Sequence, residues 1–183
     1  MIVLSIAAAI LAIGVPSFRD FHRNNRLVVA ANDVLGGVIT SRAEALRRQT
    51  TISMCTSADP GAAKPACGTG SGWILFVDTD EDCERAETEE VVKVVTVDTD
   101  VNAATNGDCL SFASTGFRRV VGGEPTNQHM LYCDDRKNSP RAKGSDNSTA
   151  RGVEVMPTGR GAVITSVDQI ESWADGDAGV ECP

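Results

Sequence analysis

The chain has 183 residues, enough for one ordinary domain and an appendage. Only 4% of its residues are aromatic, so its core must consist mostly of Val, Ile, Leu and Ala. The formal net charge of −8 disfavours binding to nucleic acid, because phosphate contacts need clustered positive charge.

The chain begins with an uncharged, almost wholly apolar run, IVLSIAAAILAIGV, at residues 2–15. This run is shorter than the about 20 residues that a helix needs to cross a hydrocarbon core. Its length also allows a core helix or the apolar part of a signal peptide. A signal peptide is disfavoured because only Met1 precedes the run, and because Gly14, Pro16 and Phe18 interrupt any cleavage pattern.

Residues 18–49 have the composition and the period of an amphipathic helix. Its predicted apolar stripe consists of Leu27, Ala31, Val34, Val38 and Ala45, widened by Leu35, Ile39 and Leu46. A continuous helix over residues 2–48 would be about 70 Å long, which is too long for the core of a domain of this size. We therefore expect its first part to project, and to be hidden by a membrane or by a bundle of identical helices. Pro16 should kink or loosen this helix.

Charge is distributed unevenly along the chain. Residues 1–17 carry none, residues 18–48 carry +3, and the remainder carries −11. A basic rod joined to an acidic body can attract its neighbours, which suits a polymer. The alternative interpretation is that both charged surfaces are simply solvated and bind no partner. The apolar run at the N-terminus favours the polymer.

Past residue 50 the pattern changes to short β-rich runs separated by turn residues. The predicted strands are Thr51–Thr56, Trp73–Asp78, Val91–Val97, Leu110–Ala113, Met130–Cys133, Gly152–Met156 and Ala162–Val167. The segment Lys137–Thr149 is expected to be a mobile loop. An antiparallel sheet packed on the apolar stripe accounts for these patterns, so the predicted fold class is α+β.

Six cysteines are scattered through the second part of the chain: Cys55, Cys67, Cys83, Cys109, Cys133 and Cys182. None forms a C-x-x-C pair, so the spacing of zinc ribbons and of thioredoxin-like sites is missing. An even number of cysteines indicates three disulfides in an oxidising compartment, such as a periplasm or a cell surface. Free buried thiols in a cytosolic protein are the alternative.

An acidic segment partly matches the calcium-loop pattern D-x-D-x-D-G-x5-E. The candidate ligands are Asp78, Asp80, Asp82 and Glu89. Cys83 stands where the pattern has glycine, and a strand precedes the loop where a helix should. An acidic turn on the surface is therefore the favoured interpretation, and no metal or other cofactor is predicted.

Catalytic motifs are sparse in this sequence. His22 and His129 are its two histidines, and no G-x-S-x-G, H-E-x-x-H or Walker-type loop occurs. Surface roles are the expected ones for both imidazoles, and we predict no enzymatic activity.

Several segments together resemble a known family. IVLSIAAAILAIGVPSFRDF resembles the N-terminal helix of type IV pilins and type II secretion pseudopilins. The helix end R-A-E-A-L-R-R-Q at 42–49 and the strand that follows it resemble the GspH/FimT-like branch, which includes FimU-like minor pilins. So do G-W-I-L-F-V-D at 72–78, L-Y-C-D-D-R at 131–136 and P-T-G-R at 157–160.

This resemblance implies a pilin-like fold in which a long N-terminal helix packs against a disulfide-stapled antiparallel body. It implies a division into an anchor and fibre core at residues 1–26 and a globular GspH-like domain at 27–183. Family prepilins carry a basic leader, a peptidase site after glycine and an early glutamate, and aligned on the apolar run this sequence begins just past all three. The residues expected in membrane or fibre packing are Ile2, Leu4, Ile6, Ile10, Leu11, Ile13, Val15 and Pro16.

The resemblance also implies a single-pass inner-membrane protein with a periplasmic body that reaches the pilus or cell surface after assembly. Arg19, Arg23 and Arg26 follow the apolar run, and the positive-inside rule alone would place them in the cytoplasm. The cysteines argue for the opposite side, and we give them more weight.

Fifteen pairings of six cysteines are possible. We expect Cys55–Cys67, which would pin the loop after the first strand, and Cys133–Cys182, which would tie the C-terminal tail to a late strand as in similar minor pilins. Cys83–Cys109 is the remaining pair.

The resemblance implies a minor pilin that helps to start or cap a type IV pilus, with other pilins as partners. A type II secretion pseudopilin is the alternative. A DNA-uptake pilin is a third possibility, since some FimT-like pilins bind DNA through a Gly-Arg-x-Arg motif. Here Gly159-Arg160-Gly161-Ala162 lacks the second arginine, and Arg118-Arg119 and Arg136–Arg141 are expected to be solvated loops, so DNA is disfavoured.

Overall fold

The computed structural model describes residues 2–121, 127–175 and 179–182, and for residues 2–17 and 175 it describes the backbone alone. Two helices and nine strands are found in this part of the chain. In chain order they are α1 (Ile2–Arg48), β1 (Ile52–Ser57), β2 (Gly72–Val77), β3 (Val91–Val95), β4 (Asn102–Thr105), β5 (Cys109–Phe112), β6 (Arg118–Arg119), β7 (Gln128–Cys133), β8 (Asn147–Val155), β9 (Gly161–Ser166) and α2 (Val167–Asp175).

Helix α1 runs without interruption through Pro16 and through Gly36-Gly37. Its predicted stripe is confirmed, since these five residues are all buried: Leu27, Ala31, Val34, Val38 and Ala45. The widening of the stripe was wrong at two positions, because Ile39 is 59% exposed and Leu46 is 43% exposed. Successive helical residues are about 100° apart, and Ile39 and Leu46, which follow the buried Val38 and Ala45, lie toward the exposed side of the helix. Leu35 is partly buried against the core.

The body contains two antiparallel sheets, where the sequence predicted one. Their strand orders are β3-β2-β1-β5-β6 and β4-β7-β8-β9. Helix α1 contacts strands of both sheets, and one apolar core is formed by α1 and their inner faces. The Trp73 indole donates a 3.0 Å hydrogen bond to the Tyr132 hydroxyl inside this core, which joins β2 of one sheet to β7 of the other.

The alternation of side chains along β7 explains how α2 packs. Met130 and Tyr132 belong to the core beneath α1, whereas Leu131 and Cys133 belong to a second cluster with Ile170 and Trp173 of α2. Gly152 of β8 allows this contact, since a Cβ there would lie 2.4 Å from the Trp173 ring. Helix α2 therefore covers the outer face of the four-stranded sheet.

The seven predicted strands overlap β1, β2, β3, β5, β7, β8 and β9. The predicted loop 137–149 was too long, because β8 already begins at Asn147. Backbone hydrogen bonds from Arg141 to Asn147 (2.8 Å) and from Thr149 to Ser139 (2.7 Å) extend the pairing into this segment.

Three disulfides fasten the loops and the tail to the sheets. They join Cys55 to Cys67, Cys83 to Cys109, and Cys133 to Cys182, the three pairs expected from the sequence. The Cα–Cα distances are 5.5, 6.1 and 5.9 Å, within the usual range for a bridge.

Candidate assembly surface and acidic loop

The described side chains of α1 ahead of Leu27, from Phe18 to Arg26, are not covered by the body. Phe18 and Phe21 are 64% and 65% exposed, and every described side chain from 18 to 26 is exposed except that of Asn24, which is partly buried. His22 lies between the two phenylalanines, with ring centroids 4.4 Å from Phe18 and 6.0 Å from Phe21 in edge contacts. Large exposed aromatic surface on one subunit is typical of a surface that another molecule covers.

The residues predicted for membrane or fibre packing all belong to α1, upstream of these aromatics, and their side chains lie outside the described part of the structure. They are Ile2, Leu4, Ile6, Ile10, Leu11, Ile13, Val15 and Pro16. Within the described residues, no helix combines the length and the apolarity that crossing a bilayer requires.

Ion pairs join α1 to the body where burial begins. Arg23 lies 3.3 Å from Asp135, which follows β7. Arg26 lies 3.6 Å from Asp98 and also pairs with Asp100, both of which follow β3. The sequence suggested that basic rod and acidic body attract each other between subunits, and these two arginines instead pair within one chain.

A second group of charges lies at the end of α1. Glu44 accepts hydrogen bonds from Arg47 (2.6 Å) and Arg48 (2.7 Å), and these lower the pKa of its carboxyl to about 2. Arg48 also donates to Glu90 at 2.8 Å and lowers the pKa of that carboxyl. The helix end is thereby tied to the segment just ahead of β3.

Three of the four candidate calcium ligands lie close together. Asp78, Asp80 and Asp82 each offer a carboxylate oxygen, and these oxygens lie within 4.8 Å of one another. Asp78 is fully buried, and Asp80 and Asp82 are exposed.

The fourth predicted ligand, Glu89, does not join them. Its carboxylate accepts hydrogen bonds from the Thr79 amide (2.7 Å), the Thr79 hydroxyl (3.0 Å) and the Ala86 amide (3.0 Å). Glu89 therefore closes the acidic loop from inside, which the calcium-loop pattern did not predict. A buried glutamate that satisfies backbone amides needs no metal.

Both histidines have partners other than a catalytic group. His129 stacks on Trp173 with ring centroids 4.5 Å apart, and its Nε2 lies 3.4 Å from Glu154. His22 belongs to the exposed aromatic group described above. No Ser-His-Asp arrangement is found around either ring in the described hydrogen bonds.

The basic clusters differ from their expected roles as solvated loops. Arg118 and Arg119 form β6, where Arg118 is buried and donates to Gln128 at 3.1 Å and Arg119 pairs with Glu81 at 2.8 Å. Burial of Asp134 raises the pKa of its carboxyl, but the paired Arg136 outweighs this and holds that pKa below its ordinary value. These arginines carry structural ion pairs and hydrogen bonds.

The fold is that of a pilin-like structural subunit. A continuous N-terminal helix packs across antiparallel sheets, and disulfides fasten the loops to these sheets. The sequence model of the family described as type II transport protein GspH matches residues 30–159, which is most of the chain, and the chain belongs to this family. The family is one of structural pilins and not of enzymes.

Solved structures with the same fold are crystal structures of the type IV minor pilin FimU of Pseudomonas aeruginosa strain PAO1. The space group P21 form has a TM-score of 0.54 at 18% identity, covering 79% of this chain and 92% of that chain. The space group P65 form has a TM-score of 0.51 at 18% identity, covering 75% and 92%. No curated protein shows significant sequence similarity to the chain.

Proposed function

We propose that the protein is a minor pilin that helps to start or cap a type IV pilus, and so supports motility and adhesion. The observation that carries this proposal is the uneven burial of the described part of α1: the side chains from Phe18 to Arg26 are exposed apart from partly buried Asn24, and packing on the body begins at Leu27, 25 residues after the helix starts. Those 25 residues extend about 38 Å at the usual helical rise. Their first part is uncharged and apolar, so it needs partners beyond its own body.

Residues 1–26 serve in this proposal first as an inner-membrane anchor and then as part of the fibre core, with residues 27–183 as the periplasmic body. Apolar side chains from Ile2 to Val15 would contact the equivalent helices of other pilins. Phe18 and Phe21 would extend this contact toward the body, where Arg23 and Arg26 pair with acidic loops and end the apolar surface.

A pseudopilin of a type II secretion system is the second candidate. The matching family is described as a type II transport protein, whereas the solved structures of this fold are of a type IV minor pilin. The same helix and body would serve either machine, so an experiment must distinguish them.

The test is complementation of a deletion in the bacterium that makes the protein. Cells carrying the wild-type chain are expected to show it in sheared surface fibres, and the deletion is expected to lower the number of fibres. An Ile10→Asp variant should fail to restore them, since a charge in an apolar helix core costs about 2.5–3.5 kcal/mol in a bilayer. Val94→Asp, an equivalent change at an exposed residue of β3, is the matched control and should restore fibres.

Three other outcomes are informative. Normal fibres together with secreted proteins trapped in the periplasm would favour the secretion pseudopilin. Full restoration by Ile10→Asp would contradict both candidates, because neither tolerates a charge in the packing helix. Retardation of DNA by the intact chain at low salt, in a gel shift, would favour the DNA-uptake pilin. Because the body is acidic, we expect no retardation.

A further inference from the structure

The acidic loop between β2 and β3 has a geometry that assembly of a fibre does not require. Asp78, Asp80 and Asp82 each place one carboxylate oxygen within 4.8 Å of the corresponding oxygens of the other two. Calcium–oxygen distances are about 2.4 Å, so two ligands on opposite sides of one ion are about 4.8 Å apart. The three oxygens are therefore close enough together that a small adjustment of the two exposed side chains brings all three to one calcium ion.

A second observation comes from the buried member of the group. Asp78 is inaccessible to solvent, and its Oδ2 accepts hydrogen bonds from the Ser53 hydroxyl and from the Cys83 amide at 3.1 Å. These bonds fix the orientation of the carboxylate. Its Oδ1 is also buried but has no hydrogen-bond partner in the described part of the chain. An unpartnered buried carboxylate oxygen is costly, and a cation would satisfy it.

The charges around the three aspartates favour a cation, and the one arginine paired in this loop, Arg119, is bound to Glu81 at 2.8 Å. No lysine or arginine of the described residues lies within ion-pair distance of Asp78, Asp80 or Asp82. Burial raises the pKa of the Asp78 carboxyl. Hydrogen bonds from Ser53 and from backbone amides act in the opposite direction, because they favour the ionised form, but burial has the larger effect. An ion bound to Oδ1 would offset that burial and the repulsion among the three carboxylates.

We propose that Asp78, Asp80 and Asp82 form a calcium site in which the buried Oδ1 of Asp78 anchors the ion and the two exposed aspartates close over it. Water and loop carbonyls complete the six to eight oxygens that calcium takes. Magnesium fits poorly, because it demands a near-ideal octahedron that three side chains on one short loop do not readily supply. Glu89 has no part in ligation, since backbone amides and Thr79 occupy its carboxylate.

Calcium would stabilise the loop that carries Cys83 and its bridge to Cys109 in the five-stranded sheet. The site is independent of the proposed function, because it requires only a folded body in contact with calcium. Sites on extracellular modules bind calcium with Kd values of about 10⁻⁴–10⁻³ M, and we expect this range here.

The test is isothermal titration of the full oxidised chain in detergent micelles with CaCl2, at constant ionic strength and after dialysis against a chelator. We expect one calcium per chain, and a Tm raised by about 3–6 °C at tenfold excess over Kd. Magnesium chloride at the same concentration should give at most a small part of this shift. The Asp80→Asn/Asp82→Asn variant should lose at least tenfold in affinity.

The matched control is Asp98→Asn/Asp100→Asn, which changes the same D-x-D spacing at another exposed loop and should bind calcium as the wild type does. Should the first double variant fail to fold, Asp80→Asn alone replaces it, because Asp80 makes no hydrogen bond in the described structure. Absence of both heat and Tm shift at 10 mM calcium would overturn the proposal. Equal weakening by the two double variants would overturn it too, since it would indicate diffuse attraction to an acidic surface.

Discussion

The two halves of α1 differ in their surroundings although they form one uninterrupted helix. From Leu27 to Ala45 the helix buries an apolar stripe against both sheets, and its opposite face carries polar and charged residues together with exposed Val29 and Ile39. From Phe18 to Arg26 it carries exposed aromatics and arginines that pair with acidic loops. The downstream half is satisfied within its own chain, whereas the upstream half exposes apolar surface that the chain does not cover.

This difference shows that helical periodicity and helical burial are separate properties. Period and propensity predict that residues 2–48 form a helix, but they do not say which face is covered or by what. Burial depends on where the sheets end. The acidic residues that follow β3 and β7 mark that limit, because they pair with Arg23 and Arg26, and the described side chains ahead of Arg23, from Phe18 to His22, are exposed.

The strongest expected effect is on the body alone. Removing the Cys133–Cys182 bridge, by Ala at both positions, should lower the free energy of unfolding by about 4 kcal/mol, as the chain-entropy model gives for this separation. Urea unfolding followed by tryptophan fluorescence measures this, since Trp73 and Trp173 both lie in the body. The far-UV helical signal from residues 2–26 should persist past that transition. Loss of the helical signal together with the tryptophan transition would mean that residues 2–26 and the body do not unfold independently.

The next effect compares two residues six positions apart on α1. Leu27→Ala should cost about 3 kcal/mol of unfolding free energy, because Leu27 is 1% exposed and contributes to the core. Phe21→Ala should change that free energy by less than about 0.5 kcal/mol in the isolated subunit. Chemical denaturation of both variants beside the wild type gives the two values. Equal losses of unfolding free energy in the two variants would contradict the proposed difference between the two halves of α1.

A smaller effect is expected at the junction. Arg26→Ala removes pairs with Asp98 and Asp100 that are half exposed, so it should cost about 0.2–1 kcal/mol. The cost should shrink at 1 M salt, where exposed pairs are screened. Arg42→Ala, on the same helix and without an ion pair in the described structure, serves as the control. A salt-independent loss at Arg26 would indicate packing as its role.

The smallest effect is on the pH dependence of stability, and it involves Glu44 near the end of the downstream half of α1. The folded pKa of Glu44 is about 2, below its ordinary 4.5, so its contribution to stability is present above about pH 4.5 and is lost as pH falls toward 2. Glu44→Gln should therefore make the decline in unfolding midpoint across that interval shallower. Glu171→Gln on α2, which makes no ion pair in the described structure, should leave the decline unchanged. If the unfolding midpoint of Glu44→Gln declined with pH as steeply as that of the wild type, Glu44 would make no such contribution to stability.

Much of the fold was predictable from local patterns. Seven strands and one long helix follow from period-2 and period-3.6 runs, because those runs are long and bounded by turn residues. The edge strands β4 and β6 escaped detection, since Asn102–Thr105 is partly polar and Arg118–Arg119 is a two-residue pairing. Helix α2 was missed because nine residues give a weak signal, although Ile170 and Trp173 lie three positions apart and face one side.

The candidate sites were less predictable. The D-x-D-x-D spacing located Asp78, Asp80 and Asp82, but the burial of Asp78 depends on strand β1 and could not be deduced from spacing. Glu89 matched the last position of the calcium pattern, but its hydrogen bonds to the amides of Thr79 and Ala86 depend on the folded loop and could not be deduced from spacing. Arg23 and Arg26 were assigned to neighbouring subunits for a similar reason, since charge counts do not show which loops return to the helix.

The central claim is that other pilin subunits cover the upstream half of α1. The most direct test places a photo-crosslinking benzoylphenylalanine at position 21 of the full chain in living cells, with position 143 on the exposed loop before β8 as the control. Irradiation is predicted to give adducts with other pilin subunits from position 21 and few from position 143. Adducts from position 143 alone, or none from position 21 in cells that display fibres, would contradict the claim.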